Sequence, residues 1–196
     1  MVAIVKYNAG NIQSVKYALE RLNVDYIVSD DPNVLRTADK VIFPGVGEAS
    51  SAMEYLRKTK LDEVLKDLKQ PFLGICLGLQ LMCTNSVEND TDCLGIFNYT
   101  VTKFDETKGY KIPHMGWNQI TFDEKNPLFK NIEQNSFVYF VHSYYVPKGS
   151  DTLAKCNYAG TDFSAGLYKD NYFGVQFHPE KSGEVGAKLI KNFVEL

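Results

Sequence analysis

The stretch Gly74-Ile75-Cys76-Leu77-Gly78 follows the apolar run Pro71-Phe72-Leu73 and leads into Leu79-Gln80-Leu81-Met82, which has the composition of a helix. A nucleophile between two glycines at a strand-to-helix turn is the pattern of a nucleophile elbow. Glycines are needed there because the turn is too tight for side chains on either flank. The N-terminus of the following helix favours the thiolate form of Cys76. A buried structural cysteine on a tight turn would explain the same residues. The stretch alone therefore predicts a strand-to-helix turn but does not establish that Cys76 is reactive.

The first half of the chain alternates strands with helices. Strand-like apolar runs occur at Ala3–Tyr7, Tyr26–Val28, Lys40–Phe43 and Phe72–Ile75. Apolar residues at helical spacing lie between them, from Ile12 to Leu22 with Asn11 as the predicted N-cap, at Ala49–Arg57 and at Leu61–Leu68. This alternation predicts a parallel sheet covered by helices on both faces.

The second half is rich in aromatic, strand-like segments separated by turn residues. These segments are Gly95–Phe104, Trp117–Phe122, Phe137–Val141, Ala165–Tyr168 and Tyr172–Phe177. An amphipathic helix is predicted only at Val185–Val194. We therefore expect one α/β domain over residues 1–196, with an antiparallel-rich second half and a mixed sheet.

Composition and charge narrow the class of protein. Of the 196 residues, 44% are hydrophobic and 23% are charged, as in ordinary globular proteins. The formal net charge of −3 argues against non-specific nucleic-acid binding. No apolar run approaches the roughly 20 residues that span a bilayer, and no signal-peptide pattern precedes the first strand. We expect a cytoplasmic protein without membrane contact.

The cysteines and histidines show no metal-binding spacing. Cys76, Cys83, Cys93 and Cys156 form no C-x-x-C pair, and the chain has only three histidines. In a reducing compartment the four cysteines are expected to be free thiols. No metal and no organic cofactor is predicted.

A base and an orienting group for Cys76 are predicted at His178-Pro179-Glu180. His178 ends the apolar strand Phe173–Phe177, and Pro179 stops that strand. A carboxylate two residues beyond can accept the ring N–H of the imidazole and fix its tautomer. Cys76, His178 and Glu180 then form a nucleophile–base–orienter triad. Alone, His-Pro-Glu is also typical of a surface turn; together with the elbow it predicts catalysis.

The same reaction needs donors for an oxyanion. The backbone N–H of Leu77 follows the nucleophile directly. A second donor is expected from Val46 or Gly47 in the loop Pro44-Gly45-Val46-Gly47, where glycines allow close approach of backbone to a ligand. A plain strand-to-helix turn is the alternative for this loop.

Three blocks in this order resemble the class I, triad-type glutamine amidotransferases: Pro44–Gly47, Gly74–Gln80 and Gln176–Glu180. Further blocks at Gly10–Ser14, Ile112–Asn118 and Val141–Tyr145 are similar to the glutaminase subunits of imidazole glycerol phosphate synthases. The similarity covers essentially the whole chain. It implies a flavodoxin-like three-layer sandwich with a central mixed, mostly parallel sheet.

The resemblance implies how the chain handles L-glutamine. Cys76 attacks the carboxamide, giving a thioester and ammonia, while His178 moves protons and Glu180 orients it. Gln80, Glu88, Ser143 and Tyr144 fall where the family holds the substrate, partly through backbone groups. Glu88 is matched by spacing alone, and a solvated loop acid beside Asn89 and Asp90 is its alternative.

The resemblance also implies a partner. Ammonia passes to a (β/α)8-barrel cyclase subunit of imidazole glycerol phosphate synthase, which forms imidazole glycerol phosphate and AICAR in histidine biosynthesis. The implied interface side includes Asn11, Trp117, Asn118, Tyr144 and Lys181. A buried core position is the alternative for Trp117, and a solvated turn position for Lys181.

Several positions leave alternatives open. Glu48 adds negative charge beside the oxyanion loop unless its side chain points outward. His114 and His142 have no carboxylate nearby in the sequence, so we expect them to be structural or interface residues. The two loop glycines, with the family analogy, suggest that partner binding rearranges Gly45–Gly47.

The same motifs also fit two alternative functions. One is a glutaminase that serves another synthase, for example in surface-sugar amination. The other is a non-catalytic scaffold that has kept the fold, but the intact Cys76, His178 and Glu180 argue against it.

Overall fold

The chain forms a central β-sheet with helices on both faces. The computed structural model describes residues 1–8 and 10–196, leaving aside the side chain of Lys108. Its strands are β1 (Val2–Val5), β2 (Tyr26–Ser29), β3 (Lys40–Phe43), β4 (Phe72–Ile75), β5 (Cys83–Ser86), β6 (Thr91–Asp92), β7 (Phe97–Lys103), β8 (His114–Gln119), β9 (Thr121–Phe122), β10 (Phe137–His142), β11 (Tyr144–Pro147), β12 (Thr152–Tyr158), β13 (Thr161–Lys169) and β14 (Tyr172–Val175). Its α-helices are α1 (Ile12–Arg21), α2 (Pro32–Thr37), α3 (Ala49–Lys58), α4 (Leu61–Asp67), α5 (Leu77–Leu81) and α6 (Gly183–Glu195).

The sheet joins a parallel part to an antiparallel part. The strand order is β2-β1-β3-β4-β14-β13-β11-β7-β5-β6, with β12 paired to β13 and β9 paired to β12. The pairs from β2 to β14 are parallel, whereas β14–β13 and most of the pairs beyond are antiparallel. Strands β8 and β10 form a separate antiparallel pair. The predicted α/β fold with a central mixed sheet is confirmed.

Side-chain alternation along the strands builds two apolar cores, one on each face. Ala3 and Val5 of β1 pack with residues of α2 to α5, while Val2 and Ile4 face the other core. That second core includes Val15 and Leu19 of α1 and Leu189 and Ile190 of α6. The apolar side chains that repeat every two residues along the strand therefore pack against apolar side chains that repeat about every 3.6 residues along each covering helix.

Several predicted boundaries are corrected by the structure. The first strand is Val2–Val5 rather than Ala3–Tyr7, and the segment Trp117–Phe122 is split at Ile120 into two strands with different partners. The last strand ends at Val175, before His178, because the chain turns there. Asn11 occupies the N-cap position of α1 as predicted, but its side chain makes no capping hydrogen bond.

Other elements were not predicted because their patterns are short or interrupted. The six-residue helix α2 begins after Asp31, whose side chain accepts a hydrogen bond from Asn33 N at 2.7 Å. Strands β5, β6, β11 and β12 were also missed. Strand β12 pairs with β13 through an irregular register near Ala154, which breaks the alternation that marks a strand.

Candidate active site

The turn between β4 and α5 holds Cys76 in an uncommon backbone conformation. Its φ is 53° and its ψ is −108°, although it carries a side chain. The fold holds it there, because Cys76 N donates to Val175 O at 2.8 Å and Gln80 N donates to Cys76 O at 3.2 Å. The flanking glycines are required, since a Cβ at Gly74 would overlap Met82 Sδ and one at Gly78 would overlap the Phe43 carbonyl oxygen.

Parallel pairing brings the Cys76 turn and His178 to one edge of the sheet. Strands β4 and β14 are neighbours in register, with Ile75 opposite Val175. The residues that follow both strands therefore emerge side by side at their carboxyl ends, where α/β sheets place their ligands. The sequence predicted each motif, and the sheet order supplies their proximity.

His178 and Glu180 form a buried pair. His178 Nδ1 lies 2.7 Å from Glu180 Oε1, and both side chains are 1% exposed. A carboxylate can only accept here, so Nδ1 carries the proton. Burial alone would lower the pKa of His178, but hydrogen bonds and negative charge from an ionised Cys76 and from Glu180 outweigh burial and raise that pKa to about 10.

The second ring nitrogen of His178 is left for proton exchange. Nε2 is buried and makes no hydrogen bond to any residue in the described ranges. The Cys76 thiol instead donates toward Val141 O at 3.8 Å. The reactive sulfur thus lies near an imidazole nitrogen that has no hydrogen-bond partner among the described residues.

Most of the predicted site residues line one cavity of about 350 Å³, large enough for an amino acid. Its walls are formed by Val46, Gly47, Cys76, Leu77, Gln80, Glu88, Pro113, Val141, His142, Ser143 and Tyr144. The sequence predictions missed Pro113, Val141 and His142 as lining residues. They lie on the β8–β10 pair and its approach, whose position over the cavity no local motif reveals.

The predicted oxyanion donor at Leu77 is occupied. Leu77 N donates to the Gly45 carbonyl oxygen at 3.3 Å. The buried Tyr7 hydroxyl donates to Pro44 O at 2.7 Å and so holds the same loop. Burial, with a smaller effect of Cys76, raises the pKa of Tyr7 beyond its ordinary range. Gly47 has a φ of 113°, which L side chains rarely adopt. The loop as it stands covers the donor that an oxyanion would need.

The side chain of Gln80 has a fixed orientation. Its Nε2 donates to Tyr144 O at 2.9 Å and to Gln176 Oε1 at 3.0 Å. A backbone carbonyl only accepts, so the nitrogen must face Tyr144. Both N–H groups are used, and the group that Gln80 can offer the cavity is its carbonyl oxygen.

Glu88 lies partly buried at the cavity wall. Its Oε2 accepts from Ala49 N at 2.8 Å, at the start of α3. Burial raises the pKa of Glu88, the Ala49 hydrogen bond opposes this, and the charge of Glu48 adds to the rise. Glu48 itself is exposed, accepts from the Asn89 side-chain amide and is not among the residues that line the cavity.

His114 and His142 form a buried hydrogen-bonded pair across strands β8 and β10. His114 Nδ1 lies 3.0 Å from His142 Nε2, and His142 Nδ1 lies 2.7 Å from Tyr144 O. The carbonyl fixes the direction: His142 donates from Nδ1, and His114 donates to His142. Asn118 Nδ2 then donates to His114 Nε2 at 3.3 Å. Burial lowers the pKa of His114 to about 4 and, with smaller effects of neighbouring groups, that of His142 to about 3.

Of the residues predicted at an interface, Tyr144 lines the cavity and the other four lie outside it. Trp117 is 55% exposed and meets Tyr139 edge-on at 6.0 Å between ring centroids, so it is not a core residue. Lys181 is exposed, while Asn11 and Asn118 are half-buried. Asn118 also donates to Asn157 O at 3.0 Å.

The described residues contain no disulfide, no metal-binding cluster and no membrane-spanning helix. The four cysteines have no disulfide partner there, and no group of three or more metal-ligating side chains occurs among them. None of the helices within the described ranges combines the length and apolar character needed to cross a membrane.

Comparison with known proteins identifies relatives over the full length. "Imidazole glycerol phosphate synthase subunit HisH" of Bacteroides fragilis is 56% identical over 196 residues, covering 100% of this chain and 99% of the relative. The subunit of the same name from Bacteroides thetaiotaomicron is 53% identical, again over 100% of this chain and 99% of the relative.

Solved structures share the fold at lower identity. The crystal structure of a glutamine amidotransferase superposes with a TM-score of 0.75 at 16% identity, covering 99% of this chain and 97% of that one. PurLQS from Thermotoga maritima gives a TM-score of 0.72 at 19% identity, with 99% and 97% coverage. The profile of the family "Glutamine amidotransferase class-I" matches residues 4–196. With this match and relatives above 50% identity, the chain belongs to the class-I glutamine amidotransferase family.

Proposed function

We propose that this chain is the glutaminase subunit of an imidazole glycerol phosphate synthase, which hydrolyses L-glutamine and passes ammonia to a (β/α)8-barrel cyclase subunit. The observation that carries the proposal is that Cys76 lines an amino-acid-sized cavity and lies beside the buried His178–Glu180 pair. Full-length relatives named as subunits of that synthase support the choice of acceptor reaction. Such a subunit works in the cytoplasm, and its 196 residues act as one domain.

The first half of the reaction makes a thioester. The Cys76 sulfur attacks the carboxamide carbon of glutamine, and the thiol proton moves to His178 Nε2. The C–N bond then breaks as His178 returns that proton to the leaving nitrogen, which departs as ammonia. Glu180 holds the Nδ1–H of His178 throughout, which keeps Nε2 directed at the reacting atoms.

The second half regenerates the enzyme. His178 Nε2 takes a proton from water, and the oxygen attacks the thioester carbon. The C–S bond breaks, glutamate leaves, and the proton on Nε2 returns to the Cys76 sulfur. Apart from this water, neither half needs a group outside the chain and its substrate.

The cavity has the polar groups that glutamine requires. The Gln80 carbonyl oxygen can accept from an N–H group of the substrate. The Glu88 carboxylate supplies negative charge for the substrate ammonium group. Ser143 and Tyr144 line the same cavity and complete the proposed binding set.

Oxyanion stabilisation requires a rearrangement of the loop 44–47. The Leu77 N–H is used by Gly45 O at 3.3 Å, so the carbonyl must leave before an oxyanion can bind. Val46 or Gly47 N–H would then join Leu77. We assign this rearrangement to partner binding, which would couple glutamine cleavage to the presence of the ammonia acceptor.

An exposed apolar face supports a partner at the β8–β10 pair. Met115 and Trp117 alternate to the same face of β8, and the exposed Phe137 lies on β10. Exposed aromatic and methionine side chains are enriched in protein interfaces. Asn11, Asn118 and Lys181 supply the polar rim of the proposed interface.

Glutaminase assays with and without the barrel subunit encoded in the same genome test the proposal. The wild-type complex is expected to release glutamate and ammonia, and Cys76→Ala should lower turnover by about 10⁴-fold or more while leaving the fold intact. Retained turnover in Cys76→Ala would refute the catalytic assignment. Stimulation by another synthase but not by the barrel subunit would refute the acceptor.

A further inference from the structure

Gln176 lies against the reacting sulfur and has no part in the triad. Its side chain is completely buried and its Nε2 is 3.6 Å from Cys76 Sγ, within hydrogen-bonding range for sulfur. A buried amide in this place either donates an N–H to the sulfur or presents its oxygen. The two orientations have opposite effects on a thiolate.

A chain of hydrogen bonds fixes the orientation of the Gln176 amide. The Tyr144 carbonyl can only accept, so the nitrogen of Gln80 faces it. The same nitrogen reaches Gln176 at 3.0 Å, so the atom of Gln176 that it meets must be the oxygen. The Gln176 nitrogen is thereby directed to Cys76. The orientation follows from one backbone carbonyl and needs no hydrogen to be observed.

The Tyr144 carbonyl is itself held by His142. His142 Nδ1 donates to it at 2.7 Å, and the neutral His114 donates to His142 from behind. The carbonyl thus receives two donors, one from His142 and one from Gln80. In this series of hydrogen bonds every donor faces an acceptor, which is the condition for a buried polar network to be rigid.

We propose that Gln176 is a thiolate-stabilising residue of the reaction, whose side-chain N–H donates to the Cys76 sulfur, and that Gln80 and His142 are positioning residues that aim this donor. The inference deepens the proposed glutaminase function and rests on it for its biological meaning. In the thiol form the S–H bond points to Val141 O. On ionisation that bond is lost, whereas the Gln176 bond becomes charge-assisted and stronger.

Few other groups near Cys76 can titrate between pH 5 and 9. Tyr7 remains protonated because burial raises its pKa, and His142 remains neutral because burial lowers its pKa to about 3. Glu88 lines the same cavity and is bound to Ala49 N. His178 is the one that shares a proton with the thiol, and it is left unchanged in the variants below.

The test measures alkylation of Cys76 by iodoacetamide in the full-length chain, followed by peptide mass spectrometry from pH 5 to 10. Gln176→Met removes the donor at similar length, and Gln176→Glu replaces it with an acceptor. We expect Cys76 in Gln176→Met to react about tenfold more slowly at neutral pH, the loss typical of one charge-assisted hydrogen bond. The midpoint of its pH–rate profile should rise by about one unit. Gln176→Glu should show a larger rise.

Controls separate this effect from loss of structure. Gln134 also bridges backbone groups, donating to Phe122 O at 2.8 Å, so Gln134→Met is the matched variant and should leave the profile unchanged. Cys83 and Cys156, which are buried in the folded chain, report on unfolding within the same digest. An unchanged Cys76 profile in a folded Gln176→Met would overturn the proposal. Alkylation requires no glutamine and no partner, so this outcome is independent of whether the proposed function holds.

A second measurement applies if neither variant folds. In the unmodified protein, the side-chain amide protons of Gln176 should shift by NMR with the same pH midpoint as the thiolate absorbance near 240 nm. Amide resonances that do not respond to ionisation of the thiol would equally overturn the proposal.

Discussion

At residue scale, the site is a set of side chains whose proton positions are determined by their neighbours. Glu180 can only accept, so His178 carries its proton on Nδ1; the Tyr144 carbonyl can only accept, so Gln80 and His142 donate to it. Cys76 occupies a backbone conformation that costs about 1–3 kcal/mol, and the surrounding strand and helix bonds maintain it.

The first prediction concerns Glu180. Glu180→Gln keeps the shape of the side chain but removes the charge that helps to raise the pKa of His178 to about 10. We expect the pKa of His178, followed by NMR, to fall toward its ordinary value near 6.5. Glutaminase activity of the complex should fall by about 10²-fold or more, since the imidazolium loses its stabilising charge.

The control for this prediction is an exposed carboxylate. Asp162 pairs with Lys148 at 2.8 Å on the surface, so Asp162→Asn should change neither the His178 titration nor the activity. A His178 titration that is identical in Glu180→Gln and the wild type would show that the carboxylate does not set the pKa of the base.

Much of this residue-level chemistry could be predicted from sequence, and part could not. The Gly74–Gly78 stretch and His178-Pro179-Glu180 are local motifs whose spacing is visible in the chain. The His114–His142 pair depends on the register of β8 against β10, which no local pattern encodes. The donor orientation of Gln176 needs the Tyr144 carbonyl in place, so it becomes visible only in three dimensions.

At the scale of elements, the loop 44–47 connects β3 to α3 and lies across the Leu77 N–H. Gly45 O accepts from Leu77 N, and Tyr7, two residues beyond β1, donates to Pro44 O. At the far end of the loop, Glu88 caps the first residue of α3. The loop is therefore held at both ends, and its middle covers the oxyanion donor.

The second prediction tests the Tyr7 contact. Tyr7→Phe removes the 2.7 Å hydrogen bond to Pro44 O and leaves a buried carbonyl without its donor, which should destabilise the fold by about 1–3 kcal/mol. The Leu77 amide should also exchange with deuterium faster, because the loop that covers it opens more often. Urea denaturation and hydrogen-exchange NMR measure the two effects.

Tyr172→Phe is the matched control for Tyr7→Phe. Tyr172 is also a buried tyrosine, and its hydroxyl donates to the Lys66 carbonyl at 2.7 Å, at the opposite end of the sheet. It should cost similar stability without faster exchange at Leu77 through loop opening. Equal changes at Leu77 in both variants would mean that Tyr7 has no specific hold on the loop.

At the scale of the whole molecule, the parallel and antiparallel parts share one sheet, and β14 joins them. The alternating pattern of the first half predicted the parallel part well, because each strand is followed by a helix with a clear apolar face. The strand order beyond β14 was not predictable, since aromatic strands of similar composition can pair in many orders. Burial across both cores then fixes one arrangement.

The third prediction is a stability optimum near pH 6.5. His114 and His142 stay neutral in the folded chain because their pKa values are lowered to about 4 and 3. Below pH 6.5 the unfolded chain binds protons that the folded chain does not, so stability falls by up to about 1.4 kcal/mol per pH unit for each histidine. His178 has the opposite sign: its raised pKa gives stability that is full below pH 6.5 and is lost as pH rises toward 10.

Urea denaturation at pH 5, 6.5 and 9 measures the loss of stability on the acid side of the optimum (the acid limb) and on the alkaline side (the alkaline limb). His142→Gln should flatten the acid limb, and His178→Gln should flatten the alkaline limb, each leaving the other limb as in the wild type. An acid limb that is equally steep in His142→Gln would show that burial of this histidine does not govern acid sensitivity.

The position of β14 has a consequence for how the active chain is made. This strand enters the sheet directly beside β4, yet Gln176, just beyond it, lies 100 residues after Cys76. A ribosome therefore completes the nucleophile long before it has made the imidazole that activates it. Throughout most of its synthesis the nascent polypeptide carries an unactivated thiol, and it gains the power to split glutamine only when its last strand enters the middle of a sheet begun by its first.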